Sequence, residues 1–319
     1  MGFCKLVIAL GGNALQEPNT PATAEAQLKV IKKTCEYIAD ISCKGYELLI
    51  VHGNGPQVGR ILLASEAANS VTPVMPLDVC SAMSQGYIGY HIQQSLRKAL
   101  DKRKKKVPVV TLITQAVVDK NDLAFKNPTK PIGTFYSEEE AEKIKKEKGY
   151  VMQEDSGRGW RRVVASPSPK KIVELPAIKV LWDSTICVAA GGGSIPVVEK
   201  EDGSLEGVAA VIDKDLAAER LAEDVNADIF MILTEVEKVS LNFKKANQID
   251  LDHITVAEAE KYIEEGHFAP GSMLPKVRAA LMFAKANPSH KSIITSLYKG
   301  EDALEGKTGT VITLNKREE

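Results

Sequence analysis

Two short stretches carry the side chains best suited to chemistry. The first is Ile212-Asp213-Lys214-Asp215-Leu216, a lysine between two aspartates that opens a helical pattern running to about residue 226. Acids and N-caps belong at a helix start, so the aspartates fit a plain capping role. A lysine aimed at a phosphoryl group and positioned by a carboxylate fits as well. The second stretch is Gly271-Ser272-Met273-Leu274-Pro275-Lys276, which reads as an N-cap, then a proline, then a helix to about residue 286. Lys276 falls in its first turn, where the helix dipole disfavours a cation. That misfit points Lys276 either at an anionic ligand or at solvent. Three glycine turns add backbone donors: Gly11-Gly12, Gly53-Asn54-Gly55 and Gly191-Gly192-Gly193. With no Cβ in the way, their N–H groups can approach an anion closely, and a following helix N-terminus adds partial positive charge. Together they predict a phosphate or carboxylate site.

Other chemistries find little support. The five cysteines, Cys4, Cys35, Cys43, Cys80 and Cys187, are odd in number and lack CxxC spacing. They read as free thiols in a reducing compartment. His52, His91, His253, His267 and His290 are scattered without ligand spacing, so no protein-built zinc site is expected. Nothing points to a Cys–His nucleophile. The spacing of Gly53, Gly55 and Gly59 is one residue too long for a dinucleotide fingerprint and has Pro56 inside it. The run from Gly300 to Gly306-Lys307-Thr308 is likewise one residue too long for a P-loop, and it leads into a strand pattern, not a helix.

The elements that must position these residues repeat one theme: an apolar run, glycines, then a helical pattern. Residues 5–10 are nearly all apolar, as a strand buried on both faces should be. Further strands are predicted at residues 47–51, 107–114, 185–190, 228–233 and 292–295, with helices at about 22–43 and 78–105 and Pro56 at the first position of another. Strands alternating with helices imply a mostly parallel sheet covered on both faces, with ligands at its carboxyl edge. From about residue 119 to 168 the rhythm breaks. Asn127-Pro128-Thr129-Lys130-Pro131, an acidic helix start at Ser137-Glu138-Glu139-Glu140 and a Gly- and Arg-rich run predict a small subdomain or lid; a long surface loop is the plainer alternative. The basic run Lys102-Arg103-Lys104-Lys105-Lys106 reads as a solvated helix end.

The chain has 319 residues, 41 Lys plus Arg against 42 Asp plus Glu, and 44% hydrophobic residues. That near balance argues against a general nucleic-acid binder. No apolar run approaches the roughly 18 residues of a membrane span, and residues 1–10 lack the pattern of a cleaved leader. A cytoplasmic protein without membrane partners is the expectation.

Longer motifs narrow the field. They are Ala9-Leu10-Gly11-Gly12-Asn13-Ala14, Gly53-Asn54-Gly55-Pro56-Gln57-Val58-Gly59, Met83-Ser84-Gln85-Gly86-Tyr87-Ile88-Gly89-Tyr90 and Asn127-Pro128-Thr129-Lys130-Pro131. Glu154-Asp155-Ser156-Gly157-Arg158-Gly159-Trp160-Arg161, Val211-Ile212-Asp213-Lys214-Asp215 and Gly271-Ser272-Met273-Leu274-Pro275-Lys276-Val277 continue the series. Over nearly its whole length the chain resembles the carbamate kinase branch of the amino acid kinase family. The Asn-Pro-Thr-Lys-Pro and Gly-Arg-Gly-Trp-Arg segments separate this branch from relatives acting on acetylglutamate, aspartate or UMP. Ala9 stands where many relatives carry a lysine, a role the resemblance passes to Lys214. Ser194 departs from the pattern, which has a fourth glycine there; serine tolerates fewer positive-φ conformations.

The resemblance implies a three-layer α/β/α sandwich with a mainly parallel open sheet, spanning residues 1–319, with a small protruding subdomain inserted at about 119–168. It implies a phosphotransferase that reversibly converts ADP and carbamoyl phosphate to ATP and carbamate, running toward ATP in fermentative arginine or agmatine breakdown. Lys130, Lys214, Lys276 and Asp213 would be catalytic, with Asp213 holding both Lys214 and Lys276, and Lys130 reaching down from the subdomain as it closes. Gly11, Gly12, Asn13, Gly53 and Asn54 would hold the carbamate and phosphoryl groups. Gly191, Gly192, Asp213, Lys214, Met273 and Lys276 would line the nucleotide side. Mg²⁺ would be held mainly by nucleotide phosphates and water, and the usual assembly is a homodimer. Two alternatives stay open: a sibling kinase forming a different acyl phosphate, and a non-catalytic nucleotide or anion sensor on the same scaffold.

Overall fold

The apolar residues of the first strand, Lys5–Leu10, divide between two cores. Val7 and Ala9 join Leu49, Val51, Phe230 and Ile232 on one face of the sheet, against helices Lys214–Asp224 and Met273–Ala286. Leu6, Ile8 and Leu10 join Leu48, Ile50 and Met231 on the other, against helices Ala24–Cys43 and Leu77–Lys102. A strand sends alternate side chains to opposite faces, so an unbroken apolar run requires a cover on both sides. The result is a three-layer α/β/α sandwich, a computed structural model that describes residues 4–17, 20–155 and 157–316. Ser156 of the Gly- and Arg-rich run and the two ends of the 1–319 span lie outside the described residues.

The main sheet has eight strands in the order His253–Thr255, Thr310–Thr313, Lys291–Ser296, Ile229–Thr234, Lys5–Leu10, Glu47–His52, Ile186–Val188, Val109–Thr111. Every neighbouring pair is parallel except Lys291–Ser296 with Thr310–Thr313. Leu10 stands level with Leu233 and with His52, so three strand ends open on the same edge.

Three sequence expectations shift at element ends. The strand predicted at 107–114 pairs in the main sheet only over Val109–Thr111. Just beyond, the Gln85 amide accepts from the Thr114 N–H at 2.8 Å and donates to the Thr114 carbonyl at 3.0 Å, which also accepts from the Ile195 N–H at 2.9 Å. Beyond it the chain enters Gln115–Val118 of a second, four-stranded sheet. The helix expected to reach residue 105 ends at Lys102, and its basic tail is only partly solvated: Arg103 is held by Asp40 and Glu36 of helix Ala24–Cys43. Pro56 takes the second helical position, because Gly55 opens the Gly55–Ala67 helix.

The excursion carries an antiparallel sheet of Lys130–Tyr136, Trp160–Val164 and Met152–Glu154, with helix Glu138–Lys148 beside it. Ser137 and Glu140 close a capping box at that helix's start, as the acidic pattern predicted. The sheet seats on the Gly55–Ala67 helix through Ile132, Val164, Val58 and Leu62.

Candidate active site

The glycine turns lie where the strands end. The Gly11 N–H donates to the Leu233 carbonyl at 3.0 Å, and the Asn13 amide donates to the Thr234 carbonyl at 3.1 Å, so this turn is sewn to the neighbouring strand end. At Gly53 the missing side chain has a definite use: a Cβ would stand 3.1 Å from Cδ of Lys214, whose stem crosses this turn. Asn54 follows as the cap of helix Gly55–Ala67, yet its side chain makes no capping bond; its amide donates instead to Ser84 Oγ at 2.8 Å. The third turn packs against the second turn and against the residue before Asp213. A Cβ on Gly192 would lie 2.1 Å from the Asn54 amide nitrogen, and one on Gly193 would lie 2.2 Å from the carbonyl of Ile212, just before Asp213. Ser194 adopts φ 71°, the conformation a glycine would take, and its buried Oγ has no partner among the described residues.

Three lysines converge on two carboxylates at this edge. Asp213 caps helix Lys214–Asp224 with Oδ1, accepting from the Asp215 N–H at 2.9 Å, and its Oδ2 accepts from Lys130 Nζ at 2.6 Å. Lys214 pairs with Asp215 Oδ1, and Lys276 Nζ lies 3.3 Å from Asp215 Oδ2. Asp213 was expected to hold both core lysines; Asp215 holds them instead. The reason is local: capping consumes one oxygen of Asp213 and Lys130 takes the other, whereas Asp215, 2% exposed, points into the interior between the two helices. Lys276 Nζ also reaches the Ser272 carbonyl at 3.2 Å, and Ser272 precedes its helix without a side-chain cap bond. Lys130, expected to reach down from the subdomain, lies against Asp213 at the edge of the site.

Burial, reinforced by the repulsion of Lys276, pushes the Lys214 ammonium below its ordinary value against the pull of Asp215 and Asp213. Burial would raise the Asp213 carboxyl, but the charges of Lys130 and Lys214 overcome it and hold Asp213 below the usual range. His52, buried beside the second turn, is pushed down to about 4 by desolvation and donates from Nδ1 to the Gly53 carbonyl at 2.8 Å. It is neutral at pH 7 and already engaged. None of the five cysteines lines either cavity of this edge.

Two cavities meet at the lysines. The larger, about 940 Å³, runs from Gly11, Gly12 and Asn13 past Met273 to Phe243 and Phe268. The smaller, about 180 Å³, is walled by Gly53, Asn54, Lys130, Gly192 and Asp213. Lys214, Lys276 and Gly12 belong to both. Gly192, expected on the nucleotide side, lines the smaller cavity, and Gly191 lines neither, because it packs against His52 and Gln85. Sequence reasoning missed most of the larger cavity: residues 234–236, 242–245 and 265–270. One signal was available. Thr234 ends the strand beside Lys5–Leu10, and parallel-sheet ligands bind at such ends.

The arrangement suits transfer of an anionic group from one cavity to the other. Three ammonium groups and backbone donors offer charge neutralisation and positioning, and the two aspartates among the described residues at the junction are already paired with lysines.

Known proteins share this architecture. The family model described as "Amino acid kinase family" matches residues 5–296. A carbamate kinase of Clostridium perfringens is 55% identical over 312 residues, covering 97% of this chain and 99% of that protein. A carbamate kinase of Pyrococcus horikoshii is 54% identical over the same span and coverage. Among solved structures, carbamate kinase from Giardia lamblia bound to AMP-PNP matches with a TM-score of 0.91 and 44% identity, over 98% of each chain.

Proposed function

The chain belongs to the amino acid kinase family and, within it, to the carbamate kinases, and from that premise we propose that it converts ADP and carbamoyl phosphate reversibly to ATP and carbamate at the Lys130–Lys214–Lys276 junction. The observation that carries this reading is the meeting of a nucleotide-sized cavity and a much smaller one at Lys214 and Lys276. The nucleotide occupies the larger cavity with its phosphates toward the lysines. Gly53 and Asn54 hold the carbamoyl end in the smaller one, and Lys130 sits over the transferring phosphoryl group. In-line phosphoryl transfer asks for positioning and charge stabilisation more than for covalent help. Lys214 and Lys276 supply that charge, and Asp215 keeps the two ammoniums together where they would otherwise repel.

Mg²⁺ fits the site only as a passenger of the phosphates. Among the described residues no group of three or more His, Cys, Asp or Glu could hold a metal, and Asp213 and Asp215 are already taken by lysines. Bound there, the ion neutralises phosphate charge. The direction is toward ATP, in fermentative arginine or agmatine breakdown, in the cytoplasm and as a homodimer. Among the described residues no helix is long and apolar enough to cross a membrane.

The test is a coupled assay of ATP formation from ADP and carbamoyl phosphate, with acetyl phosphate as the competing donor. ATP formation that depends on carbamoyl phosphate supports the reading. A preference for acetyl phosphate, or a rate no higher than that of a Lys214→Ala control, overturns it.

A further inference from the structure

Glu66 lies outside both cavities, near the end of the helix whose cap is Asn54. Its carboxylate gathers three groups of the protruding subdomain: Lys148 at the end of its helix, Tyr150 just after, and Arg162 on its sheet. Oε2 accepts from Lys148 Nζ at 2.5 Å, and Oε1 accepts from the Tyr150 hydroxyl at 2.7 Å and from Arg162 Nη1 at 3.4 Å. The Arg162 guanidinium stacks 3.5 Å from the centre of the Tyr150 ring. The Glu66 side chain is only 12% exposed. Burial would raise its carboxyl, yet the hydrogen bonds from Lys148 and Tyr150 and the charges of Lys148 and Arg162 hold it below the ordinary value, so it is a carboxylate at neutral pH.

The strand register connects this cluster to the site. Arg162 pairs with Ile132, and two residues along the same ladder Val164 pairs with Lys130. Gly133 presses on the helix at Gly59. The helix therefore touches the Lys130-bearing ladder at two heights and carries the Asn54 turn at its start. We propose that Glu66 is a positioning residue for Lys130: it clamps the protruding sheet to helix Gly55–Ala67 so that Lys130 and Asn54 face the same phosphoryl group at a fixed separation. This rests on the proposed use of carbamoyl phosphate.

The experiment compares Glu66→Ala and the milder Glu66→Gln, each made in the wild-type and Lys130→Ala backgrounds. Expected is a loss of about tenfold or more in kcat/KM for carbamoyl phosphate in the wild-type background, since misplacements near 1 Å reach about a hundredfold. In the Lys130→Ala background the same change should cost less than about twofold, because coupled residues are non-additive. ADP affinity by calorimetry should hold within about twofold. An equal loss in both backgrounds, or a matching loss of ADP affinity, means Glu66 supports folding only and overturns the proposal. If Glu66→Ala does not fold, Glu66→Gln decides by the same criteria. A second arm needs no substrate: amide exchange of residues 130–136 should quicken in Glu66→Gln, and unchanged exchange overturns the clamp. Failure of the wild-type protein to use carbamoyl phosphate would instead sink the functional reading and leave the exchange result standing.

Discussion

Substituting alanine for Gly59 should separate the two substrates. Inside a helix such a change ordinarily stabilises by roughly 0.5–1 kcal/mol, because glycine loses more backbone freedom on folding. Here the new Cβ would lie 2.3 Å from both Cα and N of Gly133, whereas ordinary contact begins near 3.4 Å. Neither neighbour is a flexible side chain that could swing aside, so helix and strand must part by about 1 Å. Overpacking of this kind costs about 1–3 kcal/mol, which outweighs the helical gain and leaves a small net loss of stability. Lys130 begins the strand that is displaced, and its 2.6 Å contact with Asp213 would open. A misplacement of about 1 Å away from the reacting atoms costs up to about a hundredfold, so kcat/KM for carbamoyl phosphate should fall toward that extent. Gly59 and Gly133 line no part of the larger cavity, so ADP affinity should be unchanged. Steady-state kinetics, ADP calorimetry and a thermal melt on the one variant test all three statements. A folded Gly59→Ala protein with wild-type kcat/KM for carbamoyl phosphate would refute the reasoning.

Other expectations follow from the same geometry. Lys214→Ala should lower turnover by about 10²–10³, roughly 2.7–4 kcal/mol, and Lys214→Arg should restore it only in part; near-normal turnover in a folded Lys214→Ala protein would reduce Lys214 to a helix-start residue. Lys130→Ala should raise the carbamoyl phosphate KM and lower turnover while calorimetry finds ADP binding unchanged; an equal loss for ADP would place Lys130 on the nucleotide side. Chelation should abolish activity and added Mg²⁺ restore it, with full activity in excess chelator as the contrary result. Glu219 gives a pH prediction: burial and neighbouring Glu223 raise its carboxyl to about 8, and its Oε1 has no partner among the described residues. Between its ordinary 4.5 and about 8 the folded protein holds a proton that the unfolded chain releases, so stability falls as pH rises through that window. Glu219→Gln should match wild type near pH 5 and exceed it by about 1–3 kcal/mol at pH 9, and a gap that does not widen with pH rules this out.

The strand cores were readable because burial on both faces leaves an unbroken apolar run, and Lys5–Leu10 and Ile229–Thr234 end within a residue of their predicted limits. The ends that moved did so for reasons outside the local pattern. Gln85, 29 residues away, holds the chain at Thr114 beyond the ladder's end at Thr111, and acids on a neighbouring helix draw in Arg103. Most of the larger cavity stayed hidden because its wall is built from loops at 234–236, 242–245 and 265–270, which share no local spacing.

Local chemistry pointed to Lys214 and Lys276, the glycine turns and the layered architecture, since capping, backbone freedom and apolar runs act over a few residues; Lys130 came only from the family resemblance. What only the tertiary structure decided is which groups meet. Lys130 and Asp213 are 83 residues apart, and Lys276 and Asp215 are 61 apart. Two aspartates flank Lys214, and nothing in the order of residues says which one holds the core lysines. That follows from the direction each side chain takes once Asp213 caps its helix, and from the sheet register that carries Lys130 back to the edge where three strands end.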